Sequence, residues 1–187
     1  NVFEQNADSG GLSPLGYLFF GGVLTHAKGF TALFAPTVNS YRRLGASITA
    51  SGSTWTPRYI SYGGKNRSQK LRIPEAGRFD WRLIDGSAIM YLAFAGLLAA
   101  GLDGMKNETS PGDRIDENLF ARGAEFPNLD TLPTNLFEAL AALKADDLLM
   151  NTIGELGTKT FYECKNKEWN SFCSKVTDWE LEQYINI

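Results

Sequence analysis

The sequence has few of the residues that mark disulfide-rich, metal-rich or strongly charged proteins. Among its 187 residues are two cysteines and one histidine, and the formal net charge is −3. Cys164 and Cys173 lie more than two turns apart in a segment predicted to be helical, so a helix would keep them from forming a bridge. We therefore expect free thiols in a reducing compartment, packed in the core.

The sequence also lacks an apolar run long enough to span a membrane and an overall basic charge. The longest apolar run, 88–102, is too short to cross a bilayer and predicts a buried helix instead. A pI near 5.2 leaves no overall basic field to attract nucleic acid or an anionic membrane. Basic and aromatic residues are not interleaved at a stacking period, which also disfavours a nucleic-acid module. Any anion must therefore bind through a local cluster of cations.

What is present is the composition of a folded domain, with 43% hydrophobic and 21% charged residues. The chain opens with Asn1 instead of Met, has no basic-then-apolar leader pattern, and leads quickly into a helical pattern. This opening predicts a fragment of a longer protein. There is no internal repeat or linker, so we expect one helix-rich α+β domain over 1–187.

The order of patterns predicts helices around a few short strands. Ser13 and Pro14 start a helical pattern that continues to about Ala35 and is expected to break at Gly29. Three β-rich runs predict hairpin strands at roughly 58–63, 69–73 and 78–83. Further helices are predicted at 87–105, 134–145 with a continuation to 151, 161–176 and 178–185, and an irregular connection at 107–133. The 87–105 helix is expected to be core scaffold, with one apolar face made of Tyr91, Leu92, Ala95, Leu98, Ala99 and Leu102.

A cluster of arginines in an acidic protein is the most informative feature. Five of them fall within forty residues in and around the predicted hairpins: Arg43, Arg67, Arg72, Arg78 and Arg82. Because strand side chains alternate, Arg78, Asp80 and Arg82 share a face, and two guanidiniums flank one carboxylate. Guanidinium forks match carboxylate and phosphate oxygens, so the pattern favours a polyanionic ligand. The alternative is a set of solvated surface arginines paired with scattered acids.

Several blocks of the chain resemble, in order and spacing, signatures of the glutamine synthetase family. They are NSYRRL at 39–44, KNRS and LRIP at 65–68 and 71–74, RFDWR at 78–82, and YLAFA and AGLDG at 91–95 and 100–104. Segments 21–27 and 111–113 also resemble the flanks of these blocks. The resemblance covers nearly the whole chain, weakens after Phe126, and implies the C-terminal portion of that catalytic domain.

The resemblance implies roles for the arginines. Arg43 and Arg82 are expected to bind the carboxylates of glutamate. Arg67, as a catalytic residue, and Arg72 would face the transferring phosphate. Arg78 would contact the phosphates of ATP.

The resemblance also implies the reaction and its setting. ATP phosphorylates the γ-carboxylate of glutamate, and ammonia or a small amine such as methylamine attacks the acyl phosphate, with Mg²⁺ or Mn²⁺ and cations stabilising the negative charge. Asp80 stands where the family has a metal-binding glutamate. The full-length protein is expected to be a cytoplasmic homo-oligomeric ring with neither a nucleic-acid nor a membrane partner. The upstream half with most metal ligands is absent, so this chain alone is expected to be inactive.

Two departures from the family pattern affect the predicted site. Between Arg43 and Glu75 there is no acidic residue, and Trp55 stands where a flap carboxylate that binds ammonium is expected. An aromatic surface suits an alkylammonium ion, which favours the glutamate-methylamine ligase branch, as does the segment 176–180. Trp55 would alternatively only pack the flap. Aspartate at position 80 is one methylene shorter than glutamate and would alternatively pair with Arg78 or Arg82 without a metal.

Other conspicuous residues are interpreted as structural. His26, in a predicted helix, is expected to be scaffold. The aromatic residues Tyr162, Trp169, Phe172 and Trp179 are expected to pack helices rather than bind a ligand. A non-catalytic relative that keeps the scaffold for assembly or anion binding is the competing hypothesis, supported by the missing flap acid and by Asp80, and opposed by the retained arginines.

Overall fold

The structure is a computed structural model that describes residues 1–4, 11–44 and 56–187. Helices in this part of the chain are α1 Pro14–Thr25, α2 Ala27–Phe34, α3 Val38–Leu44, α4 Met90–Lys106, α5 Leu119–Arg122, α6 Leu136–Lys144, α7 Asp147–Ile153, α8 Glu155–Cys173 and α9 Asp178–Tyr184. The strands are β1 Tyr62–Gly63, β2 Leu71–Glu75 and β3 Arg78–Trp81. The α+β class predicted from the sequence is confirmed.

The sheet is smaller than predicted, and only one of its pairings is a hairpin. Its order is β1-β2-β3, with β2 and β3 antiparallel but β1 and β2 parallel. The prediction of hairpin strands throughout was therefore wrong for 58–63. Most of that run stays outside the sheet, because Tyr59 forms an isolated antiparallel bridge with Thr131 and Ile60 N–H donates to the Asp130 carbonyl at 2.8 Å.

The first helical pattern breaks earlier than predicted. Ser13 caps α1 by accepting from the Gly16 N–H at 3.1 Å, with Pro14 at the first helical position, as expected. The break falls at His26 rather than Gly29, which lies inside α2. Helix α3 was not predicted, since seven residues give too little periodicity to distinguish it from a loop.

Helix α4 packs through its small residues, which corrects the predicted core face. Its buried residues are Ala93, Gly96, Ala100, Gly101 and Gly104. The large residues of the predicted face are exposed instead, with Tyr91 88%, Leu98 57% and Leu102 58% exposed. The reason is the close crossing of α1 and α4, where a Cβ on Gly22 would lie 2.0 Å from the Ala100 carbonyl oxygen.

Two apolar clusters form the core. One lies between α1 and the sheet and includes Phe20, Leu71 and Ile73. The other unites α2, α4, α6 and α7, and Trp81 at the end of β3 packs edge-on against its rings Phe30 and Phe34 at 4.8 and 4.3 Å between ring centroids. The sheet is thus held between two helical clusters, which fixes the position of the β2–β3 hairpin.

The C-terminal helices follow their predicted positions with shifted ends. Helix α6 is capped by Asn135 rather than Thr134, and α8 begins at Glu155 rather than at 161. Thr177 and Glu180 form a reciprocal capping box at the start of α9. Trp169 stacks on Phe137 and packs against the core, which confirms its predicted role as a packing residue.

The two cysteines lie on α8, and both are free and exposed. Their free state is confirmed, but the expected core packing was wrong, because both positions on α8 face solvent. Trp179 on α9 is also 60% exposed, so it contributes little to the core. In the described residues, no helix is both long and apolar enough to cross a membrane.

The connection between α4 and α6 is irregular, as predicted, and is attached to the strands. Ile115 N–H donates to the Tyr62 carbonyl oxygen at 3.0 Å, and Leu132 N–H donates to that of Arg58 at 2.8 Å. These bonds hold the connection against the edge of the sheet formed by β1. It therefore lies beside the loop that joins β1 to β2.

Candidate active site

The β2–β3 hairpin brings Arg72 and Asp80 directly opposite each other. The two residues are partners in the antiparallel register, so their side chains emerge on one face of the sheet. Arg72 donates to Asp80 Oδ2 through Nε at 2.7 Å and Nη2 at 2.6 Å. Both side chains are largely shielded from solvent, at 22% and 23% exposure. This pair is the geometric centre of the arginine cluster.

Arg78 extends the cluster toward solvent on the same strand. Its Nη2 donates to Asp80 Oδ1 at 3.2 Å and its Nη1 to Glu75 Oε1 at 2.8 Å. Both Asp80 oxygens therefore bind guanidinium groups. Burial raises the pKa of Asp80, but the hydrogen bonds and charges of Arg72 and Arg78 lower it further, and the net pKa lies below its ordinary value.

Arg82 lies among the other arginines. Its Nη1 donates to the backbone carbonyl oxygen of Arg67 at 2.5 Å. Its pKa is lowered by burial first and then by the positive charges of Arg72 and Arg67, with a smaller opposing effect of Asp80 and a further lowering by Arg43. These interactions show that the guanidiniums lie close enough to repel one another.

Arg43 joins the cluster from the last turn of α3. Its Nη2 donates to the Leu83 carbonyl oxygen at 2.7 Å, just beyond β3. Its buried Nε has no hydrogen-bond partner in the described part of the chain. Because Leu83 lies just beyond β3, this bond brings the end of α3 beside the strand that carries Arg78 and Asp80. Helix α3, which the sequence did not predict, therefore contributes to the site.

The cluster has more positive than negative charge. Arg43, Arg67, Arg72, Arg78 and Arg82 are countered within it by Asp80 and Glu75. Arg67 is exposed and forms no ion pair in the described residues. Mutual repulsion of guanidiniums is relieved when an anion lies across them, and Arg stays protonated at any physiological pH. The arrangement suits a ligand with several carboxylate or phosphate oxygens.

The described residues do not by themselves fit a divalent metal. They contain no group of three or more His, Cys, Asp or Glu side chains placed to hold one. Asp80, the predicted ligand, gives both oxygens to guanidiniums. A metal there would need to displace an arginine contact and take its other ligands from elsewhere.

The predicted amine-site residue Trp55 lies outside the described residues, as does most of the flap that contains it. Thr56, the residue that follows, donates its hydroxyl to the Arg43 carbonyl oxygen at 3.0 Å. The flap therefore rejoins the described structure beside the arginine cluster. The role predicted for Trp55 stays a prediction.

His26 lies at the junction of α1 and α2, where its ring contacts two aspartates. Its Nδ1 lies 2.8 Å from Asp146 Oδ2 and its Nε2 lies 3.5 Å from Asp103 Oδ2. The hydrogen bond of Asp146 raises the pKa of His26 above its ordinary value, and the weaker effects of Asp103 act in the same direction against burial. It connects helices and contacts none of the arginines, in agreement with the predicted scaffold role.

Sequence reasoning missed one conspicuous buried cation beside the site. Lys70 immediately precedes β2 and is fully buried, and its Nζ has no hydrogen-bond partner in the described residues. Its ammonium lies 5.6 Å from the centroid of the Trp81 ring. The sequence did hold a signal for it: Lys70 lies between Gln69 and Leu71 in a predicted strand, and a buried strand position usually carries an uncharged residue.

The chain matches a family model along almost its full length. The model described as "Glutamine synthetase, catalytic domain" matches residues 1–184. A "Glutamine synthetase" of Rhizobium leguminosarum bv. phaseoli is 39% identical over 187 residues, and a "Glutamate--methylamine ligase" of Methyloversatilis universalis is 41% identical over 192. Each alignment covers all of this chain but 43% of the relative.

Solved structures give the same result. A structure titled "GmaS/ADP complex-Conformation 1" superposes with a TM-score of 0.91 at 44% identity, over 100% of this chain and 43% of the other. A second, "Apo GmaS without ligand", superposes with a TM-score of 0.88 at 42% identity, over 100% and 42%. The chain thus spans less than half the length of the proteins it matches.

Proposed function

The chain belongs to the glutamine synthetase family, matching its catalytic domain, and from this premise we propose that the full-length protein is an ATP-dependent ligase. It would join ammonia or a small amine to the γ-carboxyl of glutamate. The observation that carries the proposal is the group of guanidiniums gathered around Asp80. We propose that this chain is the C-terminal portion of the catalytic domain and is inactive alone.

The proposed reaction has two steps that place negative charge at the arginine cluster. In the first, the γ-phosphoryl group of ATP is transferred to a γ-carboxylate oxygen of glutamate, and ADP leaves. In the second, the neutral amine attacks the acyl carbon and phosphate leaves with its bonding electron pair, while the amine loses a proton. Fixed cations stabilise the charge on the transferred and departing phosphate.

The roles proposed for the arginines are those that the resemblance to the family implies. Arg67, exposed at a loop, and Arg72, at the centre of the hairpin, would face the transferring phosphate. Arg78, 58% exposed, would bind ATP phosphates. Arg43 and Arg82, at the far end of β3, would bind the carboxylates of glutamate.

Mg²⁺ or Mn²⁺ is proposed as the cofactor of the full-length protein. When bound, the metal would neutralise phosphate charge. Asp80 is the residue of this chain that would bind the metal, and the other ligands would come from outside the chain. In the described residues, both oxygens of Asp80 already bind arginines, and no group of three or more possible ligands is present.

The identity of the amine depends on the flap. Relatives named glutamine synthetase and glutamate--methylamine ligase are about equally similar to this chain, at 39% and 41% identity. The absent flap acid and Trp55 favour methylamine or another alkylamine. We further propose that the full-length protein is a cytoplasmic homo-oligomeric ring.

Phosphate release tests this function directly. Full-length protein supplied with ATP, Mg²⁺ or Mn²⁺, glutamate and an amine is expected to release phosphate, and more rapidly with methylamine than with ammonia. The matched controls omit glutamate or omit the amine. No release with any amine would reject the ligase, and equal release with ammonia would reject the role given to Trp55.

A non-catalytic scaffold is the second candidate, favoured by the engagement of both Asp80 oxygens by arginines. Calorimetry separates the two functions. A ligase is expected to bind ATP with an affinity that depends on the divalent metal, whereas a scaffold is expected to show no metal-dependent binding.

A further inference from the structure

The Asn66 side chain ties together two segments that are far apart in sequence. Its amide nitrogen donates to the carbonyl oxygens of Asp116 at 3.1 Å and of Glu117 at 2.5 Å. Its amide oxygen accepts from both the backbone N–H and the hydroxyl of Ser68, each at 2.9 Å. One side chain thus closes the turn around Arg67 and fastens that turn to the connection after α4.

The residues that follow Arg67 strengthen this attachment. Ser68 Oγ accepts from the Leu119 N–H at 3.0 Å, at the start of α5. Gln69 accepts from the Ser61 hydroxyl at 2.6 Å and donates to the Glu117 carbonyl oxygen at 3.3 Å. Ser68 and Gln69 are both buried, and buried hydrogen bonds of this kind hold a backbone more firmly than exposed ones.

The segment before Arg67 is fixed to the same connection. Asp116 Oδ1 accepts from the Gly64 N–H at 2.7 Å. A Cβ on Gly63 would lie 2.2 Å from the Ile115 carbonyl oxygen, so the two backbones are in direct contact there. The loop around Arg67 is therefore held on both sides.

Arg67 is the exposed residue at the tip of this fastened loop. Its carbonyl oxygen accepts from Arg82 Nη1 at 2.5 Å, which orients the loop toward the arginine cluster. Its own side chain forms no ion pair among the described residues. A rigid backbone with a free guanidinium is the geometry that pre-organises a cation for an incoming anion.

We propose that Asn66 is a positioning residue that presents Arg67 to the phosphate group of the substrate by locking the loop 64–68 onto 115–119. The proposal rests on the proposed function, because only in that function does Arg67 bind a phosphate group. Asn66 touches neither substrate nor metal in this scheme, and it acts through the backbone of Arg67.

A double-mutant cycle in the full-length protein tests the proposal. N66A is expected to lower the rate of phosphate release on the order of 10- to 100-fold, because small misplacements of a charge-stabilising group are costly. R67A alone is expected to lower it on the order of 100- to 1000-fold. In the R67A background, N66A is expected to cause almost no further loss, since the group it positions is gone. The matched control is N107A, which removes an exposed Asn that donates to Asp103, and it is expected to leave the rate unchanged.

A purely structural role predicts a different outcome of the cycle. If N66A reduced the rate by the same factor with and without Arg67, or caused no loss in the wild-type background, the positioning role would be overturned. Amide hydrogen exchange at Ser68 and Leu119 is expected to accelerate in N66A, and unchanged exchange would likewise contradict the proposed fastening.

Failure of the proposed function can be distinguished from failure of this inference. If wild-type protein releases no phosphate with any amine, the ligase is rejected. The same cycle is then measured on the affinity for a non-hydrolysable ATP analogue, where coupling between Asn66 and Arg67 supports the positioning role and additivity overturns it. Absence of any binding of the analogue rejects both.

Discussion

At the scale of a single residue, Lys70 is a buried lysine whose side chain lowers the stability of the fold. The side chain is fully buried, its Nζ has no hydrogen-bond partner in the described residues, and Nζ lies 5.6 Å from the centroid of the Trp81 ring. Burial alone lowers the pKa of Lys70 well below its ordinary value, because no neighbouring charge contributes. The folded protein therefore favours an uncharged amine at this position.

Replacing Lys70 with methionine is expected to stabilise the chain. K70M keeps most of the side-chain volume and removes an unpaired buried amine, so the free energy of unfolding is expected to rise by about 2 kcal/mol. Urea unfolding at pH 7 measures the change. K65M, at an exposed lysine of the neighbouring loop, is the matched control and is expected to change stability by less than about 0.5 kcal/mol.

The pH dependence of stability provides an independent check on Lys70. The unfolded chain binds the lysine proton more tightly than the folded chain, so stability rises with pH between the lowered folded pKa and the ordinary value of 10.5. One such group contributes a slope of about 1.4 kcal/mol per pH unit. Below pH 10.5 the stability of wild type is expected to rise with pH relative to that of K70M, by no more than this slope, and parallel curves would show that burial does not lower the pKa of Lys70.

At the scale of elements, His26 connects four helices. It separates α1 from α2, its Nε2 lies 3.5 Å from Asp103 Oδ2 of α4, and it contacts Asp146, which also caps α7 by accepting from the Leu149 N–H at 3.1 Å. The histidine is 14% exposed, so its contact with Asp146 is well shielded from solvent. Its protonation state therefore affects the packing of α4 and α7 together.

The contact of His26 is expected to weaken as pH rises. Its folded pKa is raised above 6.5, so its stabilising contribution is complete below pH 6.5 and is lost as pH rises through the folded pKa. H26Q is expected to cost roughly 1.5–3 kcal/mol at pH 6 and less at pH 9, as measured by urea unfolding. D147N, which alters an exposed neighbour, serves as the control, and a cost of H26Q that grows with pH would contradict the assignment.

The crossing of α1 and α4 depends on glycine at the contact point. A Cβ on Gly104 would lie 2.3 Å from the Leu18 carbonyl oxygen and 2.4 Å from the Gly22 nitrogen. G104A is therefore expected to separate the helices and to destabilise the chain by about 3 kcal/mol or more. G86A is the matched control, because a Cβ there meets no atom within 4 Å. Thermal melting of both variants makes the comparison, and equal melting temperatures would refute the close crossing.

The β-rich patterns predicted the positions of the two strands that carry Arg72 and Arg78. The helical pattern of α4, in contrast, predicted the wrong buried face. The register that brings Arg72 opposite Asp80 follows from two short β-rich runs joined by a turn at Ala76 and Gly77. The short helix α3, which carries Arg43, was beyond reach because seven residues span only two turns. The partner of each guanidinium depends on distances across the sheet, which local sequence patterns do not contain.

At the scale of the whole molecule, α4 separates two environments. Its small residues pack against α1, α2 and α7, whereas large apolar residues form an exposed stripe that we call the α4 apolar face: Tyr91, Phe94, Leu98 and Leu102. The sequence predicted Tyr91, Leu98 and Leu102 as core because an apolar stripe identifies a buried face without identifying what buries it. This stripe is exposed in the part of the chain that the structure describes, and contiguous exposed apolar patches are typical of association surfaces.

The α4 apolar face is expected to make the isolated chain self-associate. Replacing Phe94 and Leu98, 55% and 57% exposed, with glutamine removes the centre of the stripe while keeping good helix formers at both positions. The F94Q/L98Q variant is expected to bind less of a hydrophobic dye and to sediment closer to a monomer than wild type, with a melting temperature that is unchanged or higher. L156Q, at an apolar residue of α8 that is 80% exposed and lies outside the stripe, is the matched control and is expected to behave as wild type. A strongly lowered melting temperature in F94Q/L98Q would show instead that the stripe packs within the chain, and the packing of α4 through its small residues would then be wrong.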